Sequence, residues 1–594
     1  MNAKYKIETF SFRKLRECIR IPTFQRNVVW NDDKRKEYMD TVLKGFPFGS
    51  LLLYKETPET YLLVDGLQRY TTLKDFLKYP QNYINIEKNC KSEINDIIEL
   101  LKESGVQTNY SVIRTDTINS IKQNFSLTKE LGEMVDAIAN DVSVLQQNTK
   151  CLTQLIAMLQ KLQLQYNILD IEIPLIIYQG DYDDLPSIFE KVNANGTQLS
   201  RYDIYAAAWS RVEFDYNDIS ILELVDSKYT DMIERTGVEI SNYSPGQVMK
   251  EQRINLFEFC FAFGKQLKKE CPHIFLTKRT ESSDVDSVGF LLLSAILNNS
   301  IKSLDGIKRY FENVESDFTN GLINLKTKIL ECAKKVEDIL GKYIMTIDGK
   351  NLAKAIDSQI ITIVASLFKI KYSLKPNSFE VTPNTNCKKI VSTFELCMPK
   401  RYLYDIIRGY WSGSGDTKAT DELSKPLENN IYLLPIQKDS WETTLMDWMT
   451  DQIQKPAKMI TPEIKLFLNY IIRKNISETR YAGKKFDFAL IITKKRFADC
   501  FSNRPGMATV GNVCILPEYE NRSAQTYTLY EDEELRKTIT NSNTNTLNDF
   551  LYPERSELSF TASTQTMTYD RYLFFVNNRH KYLINIFFKL YGIN

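Results

Sequence analysis

The sequence predicts an α+β chain in three parts, and three observations carry that expectation. Short apolar runs of strand length stand among amphipathic stretches before residue 80 and again at Ile171–Tyr178. Helical periodicity dominates from about residue 211 to about 475. The remainder turns mixed again, with Asn/Ser/Thr-rich loops. The expected domains are therefore 1–210 with a helical insertion at about 94–166, a helical domain at 211–475, and a mixed domain at 476–594.

In chain order, Ile21-Pro22-Thr23-Phe24-Gln25-Arg26 reads as an extended stretch fixed by its proline. Lys34 to Leu43 reads as a helix ended by Gly45. Ser50–Tyr54 and Tyr61–Val64 read as strands, Asp65-Gly66 as a turn, and Gln68–Leu77 as a helix closed by Pro80. Between 127 and 162, Leu127, Leu131, Met134, Ile138, Val142, Leu145, Leu152, Leu155, Leu159 and Leu162 recur at helical steps. That stripe is expected on one long helix or hairpin, as a packing face or as a self-associating coiled coil. After the strand at 171–178, a helix runs into the Asn/Gly turn Asn193-Ala194-Asn195-Gly196, and Ser200 is placed to cap the next helix. The loop Gly413-Ser414-Gly415-Asp416 lacks Walker spacing and reads as a helix connection.

Composition narrows the chemistry. A chain of 594 residues suggests about three to five domains. The net charge of +1 requires any nucleic-acid surface to be a local basic patch. The ten cysteines form no CxxC pair, which argues against a zinc site or disulfide scaffold and for a reducing, cytoplasmic setting. No apolar run approaches the ~18 residues of a membrane span. With only two histidines, His273 and His580, imidazole chemistry has just two places to occur. His273 reads as structural and His580 as a surface or helix-end residue.

Val64-Asp65-Gly66-Leu67-Gln68-Arg69 is the segment richest in chemistry. A strand ending in a tight turn aims the free N–H groups of the following helix at one point, which suits phosphate. Gly66 permits close approach, Arg69 can grip phosphate with two donors, Asp65 can hold a metal ion, and Gln68 can position a water. The plainer alternative is that Asp65 caps the helix and Arg69 forms an ion pair.

IPTFQRNVVW, GFPFGSLLLY, LLVDGLQRYTTLKDF and IFEKVNANGTQLSRYDIYAA occur in that order. Together they resemble the ParB-like domain of the GmrSD type, whose signature is DGQQR. The resemblance implies a ParB/sulfiredoxin-like N-terminal fold that binds and hydrolyses NTP, with Mg²⁺ as the accompanying ion. Carried over by position, Asp65, Gln68 and Arg69 are the catalytic candidates and Asp65 the metal ligand. Gln25, Arg26, Gly66, Asn193, Asn195 and Gly196 are the nucleotide-binding candidates. The chain departs from the signature at Leu67, where the family has Gln.

KFDFALIITKKRF and MATVGNVCILPEYENRSAQTYTLYE resemble the HNH-type nuclease domain that follows the ParB-like domain in that family. The family's catalytic histidine falls at Ala489 or Leu490, so the expected domain is a degenerate HNH-like one. Lys494, Lys495, Arg496, Asn512, Asn521 and Arg522 are its candidate DNA contacts. Two functions follow from the resemblance. One is an antiphage defence protein of the GmrSD-like restriction class that hydrolyses NTP and engages DNA, with modified phage DNA among the candidates. The other is a nuclease-dead, nucleotide-sensing platform for DNA, a phage protein or a partner effector. A homo-oligomer is compatible with the 127–162 stripe, and no membrane partner is expected.

Overall fold

A computed structural model describes the chain except residues 1–3, 26–27, 194–199, 276–286, 315–316, 347, 353–356, 386, 456–458, 476–484, 502–503, 518–527, 532–549 and 564. The side chains of 183, 186, 190, 193, 475 and 517 are likewise left undescribed. The chain is mixed α+β and mostly helical. It divides into two compact units, Met1–Glu258 with Thr280–Val285, and Phe259–Arg279 with Asp286–Asn594.

The first unit is organised by five strands, β1 (Tyr5–Ser11), β2 (Ile19–Arg20), β3 (Leu51–Lys55), β4 (Tyr61–Asp65) and β5 (Glu172–Tyr178), in the order β1-β5-β3-β4-β2. β5 pairs antiparallel with β1 and parallel with β3, whereas β3 and β4 are antiparallel. In β4, Leu62, Leu63 and Val64 are fully buried. Each such side chain contributes about 1.5–3 kcal/mol on leaving water, so the strand before the candidate turn is anchored in the core.

Local chemistry places the helices between the strands. Ser11 accepts from Lys14 N to start α1 (Phe12–Cys18). Asn31 caps α2 (Asp32–Leu43), with Asp32 and Asp33 in its positive first turn. α3 (Leu67–Lys78) follows β4 directly and begins one residue earlier than expected. The segment after β2 departs from the extended form expected of it. Gln25 N donates to Pro22 O at 3.0 Å, so the proline opens a turn instead.

Between α3 and β5 the chain runs through α4 (Ile86–Asn89), α5 (Lys91–Glu103), α6 (Tyr110–Asn124), α7 (Leu131–Asp141) and α8 (Thr149–Gln165), beginning before the expected residue 94. These helices bury a core of their own, from Ile86 to Leu162. The 127–162 stripe is thus broken over two α-helices and a 3-10 turn. Met134, Ile138, Leu145, Leu155, Leu159 and Leu162 are all spent on this internal core, so the stripe offers no coiled-coil face. Beyond β5, α9 (Leu185–Asn193) leads toward α10 (Arg201–Trp209). Ser200 and Asp203 form a reciprocal capping box there, as the sequence predicts.

The second unit has a helical core. Ser287–Leu297 and Asp357–Lys371 are buried nearly all round, the pattern of helices with no solvent face. Residues 408–414 join helices Cys387–Ile407 and Gly415–Ser424, so Gly413 and Ser414 lie in the connection as expected while Gly415 and Asp416 open the second helix. Near the C-terminus, Phe486–Leu490 pairs antiparallel with Val513–Pro517, and the closing helix is Tyr569–Tyr591. Among the described residues, no helix is long and apolar enough to cross a membrane.

Candidate functional site

The turn after β4 has a geometry that only glycine allows. Gly66 sits at φ +102°, and a Cβ there would lie 2.3 Å from Leu51 Cδ2. A register shift between Leu52 and Leu53 irregularises the sheet beside Asp65, the last residue of β4. α3 then starts with no side-chain cap, so Asp65 does not serve as one.

Asp65 Oδ2 instead pairs with Arg69 Nη2 at 2.6 Å, one helical turn on, and each side chain retains 24% exposure. Of the two plainer roles open to the turn, capping is absent and the ion pair is present. The Arg69 guanidinium also lies against Gly49, where a Cβ would come within 2.9 Å of Nη1. Its Nε is buried without a hydrogen-bond partner. Tyr38, flanked by Trp30 and Phe48 at ring-centroid distances of 5.5 and 6.2 Å, completes the surround. Burial pushes the Tyr38 phenol well above its usual range, with the nearby Arg69 charge pulling against it. Gly49, Trp30 and Tyr38 were not among the expected site residues. GFPFGS carried the only hint, a glycine beside strand β3.

Two buried glutamines brace this turn. Gln25 Nε2 donates to Leu63 O at 2.9 Å and Val64 O at 3.3 Å, holding the end of β4. Gln68 Oε1 accepts from Val29 N at 2.8 Å and Trp30 N at 3.0 Å. The side chain considered for positioning water therefore clamps backbone. Leu67, which stands where the related signature has Gln, is 3% exposed and packs inward. Phe24 meets Phe189 edge-on at 5.8 Å, which sets α9 against the Pro22–Gln25 turn. Arg26, Asn195 and Gly196 lie outside the described residues. So does the side chain of Asn193, the last residue of α9.

What the described geometry assembles is compact: Asp65, Gly66, Arg69 and the first N–H groups of α3. Orphan donors at a helix start and a guanidinium suit phosphate oxygens. A single carboxylate also suits Mg²⁺, which keeps most of its water and shares phosphate oxygens. Among the described residues no group of three or more His, Cys, Asp or Glu side chains could hold a metal by itself.

The C-terminal candidates divide. Lys494 and Lys495 are exposed at the start of helix Lys494–Phe501. Arg496 is committed inward, to Glu531 at 2.9 Å and to the Thr561 carbonyl. Asn512 is fully buried, and its amide bonds Ile492 N, Ile492 O and Met507 O at 2.8, 3.2 and 2.9 Å. It is a structural clamp with no face toward DNA. Its neighbour Gly511 lets the closing helix approach, since a Cβ there would lie 2.7 Å from Val576 O. Asn521 and Arg522 fall outside the described residues. Ala489 is buried in the antiparallel strand pair, opposite Cys514.

Both histidines are committed to structure. His273 pairs through Nδ1 with Glu337, which also accepts from the backbone N–H of His273 and Ile274. His580, expected at the surface, is 2% exposed and bonds Thr509 Oγ1 through Nε2 at 2.9 Å. Beside it Arg579 is also buried, donating to Gly511 O and Leu551 O at 2.9 and 2.7 Å.

The first unit is thus a mixed-sheet domain that presents a charged strand-to-helix turn backed by two clamping glutamines. Residues 7–210 match the family model described as GmrSD restriction endonuclease, N-terminal domain. This part of the chain is similar to that N-terminal domain. A search of curated proteins gave no match.

Proposed function

We propose that this is an NTP-dependent antiphage protein of the GmrSD-like restriction class, acting in the cytoplasm, and that NTP binds at the Asp65–Arg69 turn. The observation that carries the proposal is the glycine-only turn that brings Arg69 and the uncapped first N–H groups of α3 together, within a stretch that matches the GmrSD N-terminal domain. Phosphate oxygens compete with Asp65 for the Arg69 guanidinium and draw on the first N–H groups of α3. Asp65 would hold the Mg²⁺ that accompanies the nucleotide, and the ion would supply charge neutralisation for phosphoryl transfer to water. Gln25 and Gln68 act as positioning residues, fixing both flanks of the turn.

DNA engagement is assigned to the exposed Lys494 and Lys495. No nuclease step is assigned to the C-terminal strand pair, because Ala489 is part of its core and both histidines are committed elsewhere. A second reading, a nucleotide-sensing platform with slow turnover that binds DNA, a phage protein or a partner effector, draws support from two side chains. Gln68 is bonded to backbone, and Leu67 brings no amide to the site.

The test is phosphate release and nucleotide binding by the full chain, with each NTP and Mg²⁺, with and without DNA. Asp65→Ala should abolish release while leaving the fold intact. Binding without release in the wild type would select the platform. Unchanged turnover in Asp65→Ala would remove the turn from consideration.

A further inference from the structure

α3 has a second end that the nucleotide proposal does not use. Its 12 residues span about 18 Å, and beside its C-terminal half lies a cavity of about 490 Å³. Four elements of the first unit wall it: α1, α3, the end of α6 and the α6–α7 loop of the insertion. They contribute Arg16, Lys74, Lys78 and Lys129, and among the described residues no carboxylate lines the cavity. Among the described residues none of these four cations is in an ion pair.

Their surroundings hold them together without neutralising them. Lys74 donates to the Gly237 carbonyl. Burial and the neighbouring Arg16 charge both make its ammonium easier to deprotonate than usual. Lys78 lies over the Tyr79 ring at 5.0 Å. The nearest acid on α3, Asp75, accepts from Tyr83 Oη at 2.6 Å and lies 4.0 Å from Arg35. Glu17 and Glu239 line an adjoining cavity of about 240 Å³ that shares Arg16 and Lys74, and there Arg20 takes up Glu239 at 3.4 Å.

The cavity is also preformed. Leu127 N and Ser126 Oγ both donate to Leu77 O, at 2.9 and 3.2 Å, which pins the loop and covers the carbonyl end of α3. Gln163 Nε2 holds the same loop through Ser126 O and Lys129 O, at 3.2 and 3.1 Å. Like charges fixed at one concave surface repel, and a bound polyanion relieves that repulsion. The volume falls within the range of small-ligand sites.

We propose that this cavity is a second anion site, distinct from the Asp65–Arg69 turn, that takes phosphate groups on Arg16, Lys74, Lys78 and Lys129. Free polyphosphate or nucleotide and the backbone of DNA share that chemistry, and the test separates them. Inorganic pyrophosphate and a short duplex DNA are titrated into full-length wild type, Arg16→Gln/Lys129→Gln and Asp65→Ala. Both residues of the double variant are exposed, so the fold is retained; Lys78→Gln, also exposed, is the second variant.

Pyrophosphate binding should weaken about tenfold or more in the double variant, as for loss of a charge-assisted hydrogen bond, and survive Asp65→Ala. Weakening confined to DNA would also support the site and name its source. Unchanged affinity for both probes in both cavity variants would overturn it. So would no binding of either probe to wild type, or loss of pyrophosphate binding in Asp65→Ala.

Discussion

His580 makes the C-terminal region acid-sensitive, and the size of the effect can be worked out. Burial, reinforced by the adjacent Arg579 guanidinium, pushes the imidazole from its ordinary 6.5 down to about 3. The folded ring therefore stays neutral where the unfolded ring protonates. Its contribution to stability is complete above the unfolded value and is lost as pH falls from about 6.5 toward 3. At pH 5 the unfolded chain gains about 2 kcal/mol from this one proton, and near pH 3 about 4–5 kcal/mol.

Asp405 works in the opposite sense. Burial raises its carboxyl from 3.8 to about 6, so it protonates first in the folded state and returns about 1 kcal/mol at pH 5. The assay is consequently a difference between two proteins. Denaturant unfolding is measured at about pH 7.5 and pH 5 for wild type and His580→Gln, which cannot titrate but can still bond Thr509. Trp441 reports on the closing helix, since it packs on Phe587 at 5.1 Å. Wild type should lose about 2 kcal/mol more than the variant over this interval. Parallel pH dependences would refute the argument.

Two further predictions concern packing. Gly66→Ala places a Cβ 2.3 Å from Leu51 Cδ2 at φ +102°. It should cost about 2–4 kcal/mol in unfolding of the first unit, by strain and overpacking together; no measurable change would show that the turn is not as tight as described. Asn512→Ala strips three buried backbone groups of their partner and should destabilise the protein by roughly 2–4 kcal/mol. A variant of wild-type stability with weaker DNA binding would instead make Asn512 a contact residue.

How much the sequence disclosed depended on how local the cause was. β4, the turn and α3 were legible to within one residue because Asp65-Gly66 and Pro80 punctuate them. The Ser200 cap was legible for the same reason. The 127–162 stripe showed which faces are buried, but periodicity cannot say against what, and the partners proved to be the insertion's own helices. Gln25 and Gln68 stand out in the sequence as candidates, yet their bonds run to backbone brought close only by the fold. Arg579 and His580 were the least legible. A charged or polar residue in a helix reads as solvent-facing unless its buried partners, here Gly511 O, Leu551 O and Thr509 Oγ1, are known.

The sheet order has a consequence for the birth of the protein on the ribosome. β5 lies between β1 and β3, yet it is the last of the five strands to be made. Until it emerges, β1 has no partner in the sheet and β3 has a bare edge. The residues synthesised just before β5 are those of the insertion, whose contacts are local and whose core is its own. They can fold quickly, while the β1–β5 pairing waits for a long chain closure. The nascent domain thus passes through a stage with a finished helical bundle and an open sheet. Truncation just before Glu172 should leave the helical insertion folded and β1 unpaired.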